Sequence, residues 1–275
     1  MSAQFGGDQY IAGQKEPVID MPTRFVDFMR VLVPMAGDDT TPEGEQVNIY
    51  GNHVGSWNFA ATAYLNRWKV KIYYEHYFDD HSQMFFQYGR WKDGHIGLEI
   101  TFPKNRFIDT FVYEGLGTKD QTGPMLYDSF WGEFEEQISA KDNYYNHYLY
   151  QGWQHRGMGI GNPLLPGPIY NKNGQITFIS NRVLAHHIGF CGSPCQSLSY
   201  RMLLSYSRHW GTYDNPLNEI KKQFNSLFEV TYAPQQLKGW SFTVSGAMDR
   251  GSLLGNNYGG MLVIRKQGII KSGNK

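Results

Sequence analysis

The sequence predicts an all-β chain of antiparallel strands in hairpin order. Three observations lead there. From Ser56 onward apolar and polar residues alternate with period two, the spacing of a strand whose successive side chains point to opposite faces. Several alternating runs reach about ten residues, longer than the five or six usual in soluble sandwiches. Aromatic residues make up 16% of the chain, with 19 Tyr and 7 Trp, a usage that suits strands, a membrane-interface girdle or carbohydrate stacking.

Residues 1–46 are mixed. Pro22 stands at a helix start, and Phe25, Phe28, Met29 and Leu32 follow at helical spacing, so one short helix is expected there. The run 37–44, rich in Gly, Asp, Thr and Pro, reads as a loop. Residues 47–275 carry the strands. Trp57, Phe59, Ala61, Ala63 and Leu65 form one apolar face. Trp68, Val70, Ile72, Tyr74 and Phe78 form the next, and Ile96, Leu98, Ile100 and Phe102 a third. Leu198 to Tyr206 and Trp240 to Met248 repeat the pattern, and weaker runs occupy 107–114, 175–190, 226–233 and 258–266. The total is about ten strands. An inserted loop, 117–172, interrupts them.

Composition limits the alternatives. The formal net charge is zero, which gives no basis for bulk electrostatic binding to nucleic acid. No apolar run approaches 18 residues, so no transmembrane helix is expected; a membrane β-barrel is untouched by that test. Strands of about 9–11 residues match a tilted crossing of a bilayer. Polar faces mixing Lys, Glu, Arg and Asp suit a wet lumen, but a soluble barrel or sandwich shows the same alternation. The start, MSAQFGGDQY, has neither the basic nor the apolar part of a signal peptide, so a secreted reading needs a further N-terminal part. Cys191 and Cys195 either close a small disulfide or stay as thiols.

Within the insertion, Asp142–Asn162 is dense in Tyr, Asn, Gln and Gly and nearly free of aliphatic residues. Tyr144, Tyr145, Tyr148, Tyr150 and Trp153 are placed to stack on sugar faces. Asp142, Asn143, Asn146, Gln154 and Arg156 are candidates for hydroxyl hydrogen bonds or uronate pairing. The competing and compatible reading is a plug whose polar groups satisfy one another. Gly157, Gly159 and Gly161 lack the Lys-Ser/Thr of a phosphate loop and read as close backbone packing; Gly251–Gly260 reads as a hairpin turn.

Enzymatic and metal readings are weaker. Nine histidines offer no pair at i, i+4 on a convincing helix, and adjacent His186 and His187 must point to opposite faces of a strand. No metal and no cofactor is expected. His53 and Ser56 raise an outer-membrane phospholipase, yet their i, i+3 spacing separates them across a strand. Glu75, Asp79 and Asp80, or Glu133, Glu135 and Glu136, are paired acids of the kind a glycoside hydrolase uses; solvated lumen and loop acids are the plainer account.

Several stretches carry a family resemblance. They are 51–59 (GNHVGSWNF), 74–78 (YEHYF), 118–124 (TKDQTGP), 142–147 (DNYYNH), 152–155 (GWQH), 157–163 (GMGIGNP) and 249–255 (DRGSLLG). Together they resemble the capsule assembly Wzi family, in the form found in Bacteroidetes-type bacteria, over about residues 47–265. The resemblance implies a Gram-negative outer-membrane β-barrel that acts as a lectin and helps anchor capsular polysaccharide. Its partners would be that polysaccharide and outer-membrane lipids, with the protein a monomer. Against the family pattern the chain lacks a signal peptide, the first strands and a terminal aromatic, so it is expected to be the C-terminal part of a larger barrel. The expected fold is therefore an antiparallel up-and-down transmembrane β-barrel, partial here, with a short N-terminal helix and structured loops. A hydrolase on the same barrel and a soluble carbohydrate-binding β domain are the alternatives.

Overall fold

A computed structural model describes residues 2–10, 15–79, 81–84, 93–105, 107–127, 129, 132–138 and 140–268. Asp80 and the side chain of His81 lie outside the described residues. The chain is all-β. Its N-terminal part holds three short strands, β1 (Ser2–Gln4), β2 (Gly7–Gln9) and β3 (Ile19–Met21), and two helices, α1 (Phe25–Leu32) and α2 (Glu43–Val47). The long strands follow: β4 (Asn52–Leu65), β5 (Trp68–Asp79), then a short helix α3 (His81–Met84), β6 (Gly94–Thr101) and β7 (Thr110–Gly117). A two-strand hairpin, β8 (Gln154–His155) and β9 (Met158–Gly159), sits inside the insertion. The sheet resumes with β10 (Val183–Cys195), β11 (Leu198–Gly211), β12 (Pro216–Tyr232), β13 (Trp240–Gly251) and β14 (Asn257–Lys266).

Ten strands form one antiparallel meander in the order β1-β4-β5-β6-β7-β10-β11-β12-β13-β14. The up-and-down order and strand number match the alternation. Barrel closure does not occur: among the described residues β14 pairs only with β13, and β4 beyond Val54 pairs only with β5. Strand limits shift from the expected ones. β12 has 17 residues where the sequence showed only the weak run 226–233, and the insertion runs to residue 182 rather than 172. Cys191 and Cys195 are free thiols.

Register aligns whole rows of like character. Ala60, Tyr73, Gly97, Glu114, His187, Ser205, Asn225, Asp249 and Asn257 lie opposite one another across nine strands. One residue along, and so on the opposite face, the row reads Ala61, Ile72, Leu98, Tyr113, Ile188, Leu204, Ser226, Met248 and Tyr258. At the loop end the polar face lies under the insertion, across a cavity lined by Glu75, His95, Glu114, Ser207 and Asn225. The apolar face is open at Ile72, Val244 and Leu262, which are 55%, 61% and 63% exposed; at the loop end α1 and α3 lie against it, where His53 meets Val31 O (3.1 Å), Trp57 Nε1 donates to Met84 O (2.7 Å) and His76 meets Gln83 O (3.0 Å). In a soluble sandwich the polarity would be reversed, with the apolar face against the covering layer.

The two ends of the sheet differ. One has only the connections 66–67, 102–109, 196–197 and 233–239; the other carries 80–93, 118–182, 212–215 and 252–256, with the N-terminal segment beside them. Hydrophobic clustering lies at this loop end, in Leu116, Leu165, Phe178, Val183 and Ala185, and in Met21, Val31, Tyr50 and Leu149. α1 forms where the spacing predicts. Asp27 accepts from the Arg24 backbone N–H (2.9 Å) and pairs with Arg24 and Arg30 (2.9 and 3.0 Å). Its buried side is Asp27 and Val31, while the stripe of Phe25, Phe28 and Leu32 faces away from the protein.

Candidate functional site

The stretch 140–181 is held on the loop end by a buried polar network. Thr118, just past β7, donates to Asn181 O (2.6 Å) and accepts from Val183 N (3.1 Å). Asn181 is fully buried; its amide nitrogen donates to Asn143 Oδ1 (2.5 Å) and Tyr144 O (2.8 Å), and its oxygen accepts from Gln121 Nε2 (3.2 Å). Asn146 makes a reciprocal pair with Phe178, donating to its O and accepting from its N, each at 2.8 Å, as a strand neighbour would. Asp79, at the end of β5, accepts from Tyr145 N (2.7 Å). Buried polar groups keep a single arrangement only when mutually satisfied, and these residues come from four separate stretches of chain.

Tyr145 shows how tightly the block is specified. Its φ of +70° costs about 1–3 kcal/mol in a non-glycine residue. The fold imposes it by the Asp79 bond, by Asn162 N donating to its hydroxyl (3.1 Å), and by its edge contact on Phe178 (5.3 Å). Gly152 (φ +73°) passes so close that a Cβ would stand 2.0 Å from Tyr145 O. The glycines 157, 159 and 161 serve close packing as expected. Arg156 (φ +51°) and Gly157 (φ +80°) form the two-residue turn of the β8–β9 hairpin, and a Cβ on Gly159 would touch the Phe178 ring at 3.1 Å. Gly251–Gly260 holds the β13–β14 turn.

The candidate glycan residues separate by place: Asn143 is spent on Asn181 at the outer cavity wall, Tyr150 packs on the His147 ring (4.9 Å), and the other eight divide between the block and two cavities. Tyr144 and Trp153 are buried, 4% and 7% exposed, and act within the plug; neither offers a ring face for stacking. Gln154 is spent on the turn, accepting from Gly157 N (2.7 Å), and Arg156 sits exposed at that turn. Tyr145 lines an inner cavity of about 900 Å³ between the block and the polar sheet face. Asp142, Asn146 and Tyr148 line an outer cavity of about 1010 Å³ with α2, residues 175–179 and the 212–215 loop. Tyr148 is the exposed aromatic of this cavity, at 64%.

Glu45 and His147 set the outer cavity's electrostatics. Glu45 is buried, accepts from Gly51 N (2.6 Å) and from Tyr148 OH (3.1 Å), and lies 3.9 Å from His147 Nε2. His147 stacks on Tyr148 with ring centroids 4.9 Å apart, and its Nδ1 accepts from Leu149 N (3.1 Å). Burial pushes the Glu45 carboxyl up to about 7 and His147 down to about 4. The signs oppose. Glu45 binds its proton more tightly folded than unfolded, so its contribution to stability is lost as pH rises from about 4.5 through about 7. His147 is held neutral, so its contribution is lost as pH falls from about 6.5 through about 4. The two offset each other between those limits. Protection of the Gly51 amide from hydrogen exchange is therefore expected to vary little from about pH 5 to 6, to weaken as pH rises from about 6.5 through about 7, where Glu45 is no longer offset by His147, and to level off above that. In Glu45→Gln the weakening on approaching pH 7 disappears, and protection instead falls on acidification below about 6.5; an unchanged profile in the variant would exclude this assignment.

The inner cavity contains residues that the sequence had not brought together. Cross-strand register places Glu75 on β5, His95 on β6 and Glu114 on β7 side by side. His95 Nδ1 is 3.8 Å from Glu75 and its Nε2 3.4 Å from Glu114. Ser56 donates to Glu75 (2.5 Å), Tyr73 donates to Glu114, and His187 meets Ser205 at 2.6 Å. Period-two alternation puts all of these on the polar face; only register makes them neighbours. His53 and Ser56 part as their spacing requires: His53 is buried against Val31 O (3.1 Å) while Ser56 bonds Glu75. His186 and His187 likewise diverge, toward Tyr113 OH (2.8 Å) and Ser205. Among the described residues no three His, Cys, Asp or Glu side chains form a metal-binding group.

No protein-family model, curated protein or solved structure matches the chain.

Proposed function

We propose that this chain forms part of an outer-membrane β-barrel of the capsule assembly Wzi type, which binds capsular polysaccharide at its loop end and holds it at the cell surface. The observation that carries the reading is the polarity of the sheet: the apolar face is open along Phe59, Ile72, Val244 and Leu262, and the loop-end part of the polar face lies under the insertion and lines a cavity. Water makes that arrangement costly, and a bilayer outside with a wet lumen inside favours it. The two longest connections, 80–93 and 118–182, lie at the same end, which agrees with an external end opposite a periplasmic one. Of the stretches that resemble the family, 118–124 and 142–147 supply Gln121 and Asn143 to the buried network beneath the block, and 74–78 joins it through His76, Gln83 and Gln121. The glycan would enter the outer cavity, where Tyr148 offers an aromatic face and Asp142 lines the wall.

Binding of purified detergent-extracted protein to a panel of capsular polysaccharides tests this. Tyr148→Ala is expected to weaken binding about tenfold, the loss of about 1–1.5 kcal/mol from one stacking contact. Trp153→Ala, in contrast, is expected to act through stability. Full binding by Tyr148→Ala would remove the outer cavity from the proposal. One observation favours a second reading, a glycan hydrolase: Glu75 and Glu114 are two carboxylates in one cavity. Release of reducing ends by the protein, abolished in Glu114→Gln, would establish it instead.

A further inference from the structure

Among the described residues the apolar stripe on α1 is largely open, with Phe5 beside it. Phe25, Phe28 and Leu32 are 77%, 43% and 54% exposed, and Phe28 is flanked by Phe25 and Phe5 at ring distances of 6.2 and 6.1 Å. A helix of a water-soluble surface turns such a stripe inward. Here the inward side is Val31 and Asp27, and the Asp27–Arg24–Arg30–Asp38 ion cluster, with every pair at 2.9–3.0 Å, fastens α1 to the loop after it. The outward direction of the aromatic stripe is thus built into the fold.

Position along β4 says what the stripe meets. The open face of β4 runs from Leu65 at the turn end through Phe59 to Trp57, whose indole N–H reaches Met84 O of α3 (2.7 Å). A tilted strand crosses the hydrocarbon layer in about 9–11 residues, which counted from Leu65 ends near Gly55. Two residues further, His53 donates from Nε2 to Val31 O of α1 (3.1 Å), and a Cβ on Gly51 would touch Val31 at 3.3 Å. By alternation His53 belongs to the same face as Trp57 and Phe59. α1 therefore lies on the bare side of the sheet, at the height where the hydrocarbon layer gives way to headgroups.

We propose that α1 is an interfacial helix, seated in the headgroup–acyl boundary of the bilayer that surrounds the sheet, with Phe25, Phe28 and Leu32 entering the acyl side. This rests on the membrane reading above. The occupant is lipid because the stripe continues the bare apolar face of β4, and an apolar helix face a few residues long penetrates only about 5–10 Å at such a boundary. Its role is to hold the N-terminal segment, and through α2 the outer cavity, at a set height above the membrane.

The test uses the full chain with Cys191→Ser and Cys195→Ser, reconstituted in phosphatidylcholine–phosphatidylglycerol vesicles. An environment-sensitive dye is attached at Phe28→Cys, at Val244→Cys on the bare face, or at Tyr148→Cys in the outer cavity. Lipids brominated near the headgroup should quench the dye at position 28, and aqueous iodide should quench it about threefold less than at position 148. Leu32→Cys provides the same measurement if the label at 28 disturbs folding. Iodide quenching at 28 and 32 equal to that at 148, with lipid quenching kept at 244, overturns the helix proposal and leaves the membrane reading standing. Shielding from both iodide and bromolipid also overturns it, in favour of a second protein copy on the stripe. Loss of lipid quenching at 244 overturns the membrane reading, and the helix proposal with it.

Discussion

Ile72→Arg is expected to destabilise the folded protein in vesicles by about 2–4 kcal/mol, the cost of an arginine on the lipid side of a membrane strand near its midplane. Ile72 lies in the apolar row with Leu98, Tyr113 and Ile188, and more than half of it is exposed. On a surface facing water the same change would fall within about 0.5 kcal/mol, because more than half of the side chain is already exposed and arginine hydrates well. The gap between these outcomes is wide enough for denaturant unfolding in vesicles to separate them. Ser205→Arg, on the polar face, serves as the contrast, since its cost does not depend on the lipid. A near-neutral Ile72→Arg would mean that the bare face is in water, and the soluble carbohydrate-binding domain would become the better account.

Replacing Asn181 by Leu should release the block from the sheet. The side chain makes three buried hydrogen bonds, to Asn143, Tyr144 and Gln121, so the apolar substitute strands their polar groups. Each buried group left without a partner costs about 1–3 kcal/mol, so a loss of at least about 3 kcal/mol is expected in the local stability of 140–181. Trypsin cleavage after Lys141 and Arg156 should accelerate on the order of a hundredfold, the rate consequence of that loss when opening precedes cleavage. The strands themselves should persist, since their pairings do not pass through Asn181. Unchanged cleavage would show that the block is held by its apolar contacts, with Phe178 and Leu165 foremost, and not by the polar network.

Much of this protein is legible without coordinates. Period-two alternation is a local property of the chain, so it located the long strands, their hairpin order and the two faces, and put His186 opposite His187. The composition of Asp142–Asn162 marked it as a block that could be a plug, a ligand surface or both. Tertiary structure divided those roles. Tyr144 and Trp153 look identical in kind to Tyr148, yet packing buries the first two and leaves the third at a cavity wall. Glu75, His95 and Glu114 are far apart in sequence and adjacent only through the register of β5, β6 and β7. The same limit hid the outward aromatic stripe of α1. Helical spacing shows that Phe25, Phe28 and Leu32 share a side; the ion cluster around Asp27 and the contact of Val31 with His53 decide which way that side points. Pattern along one segment sets what its residues have in common, and only the segments packed against it decide what they touch.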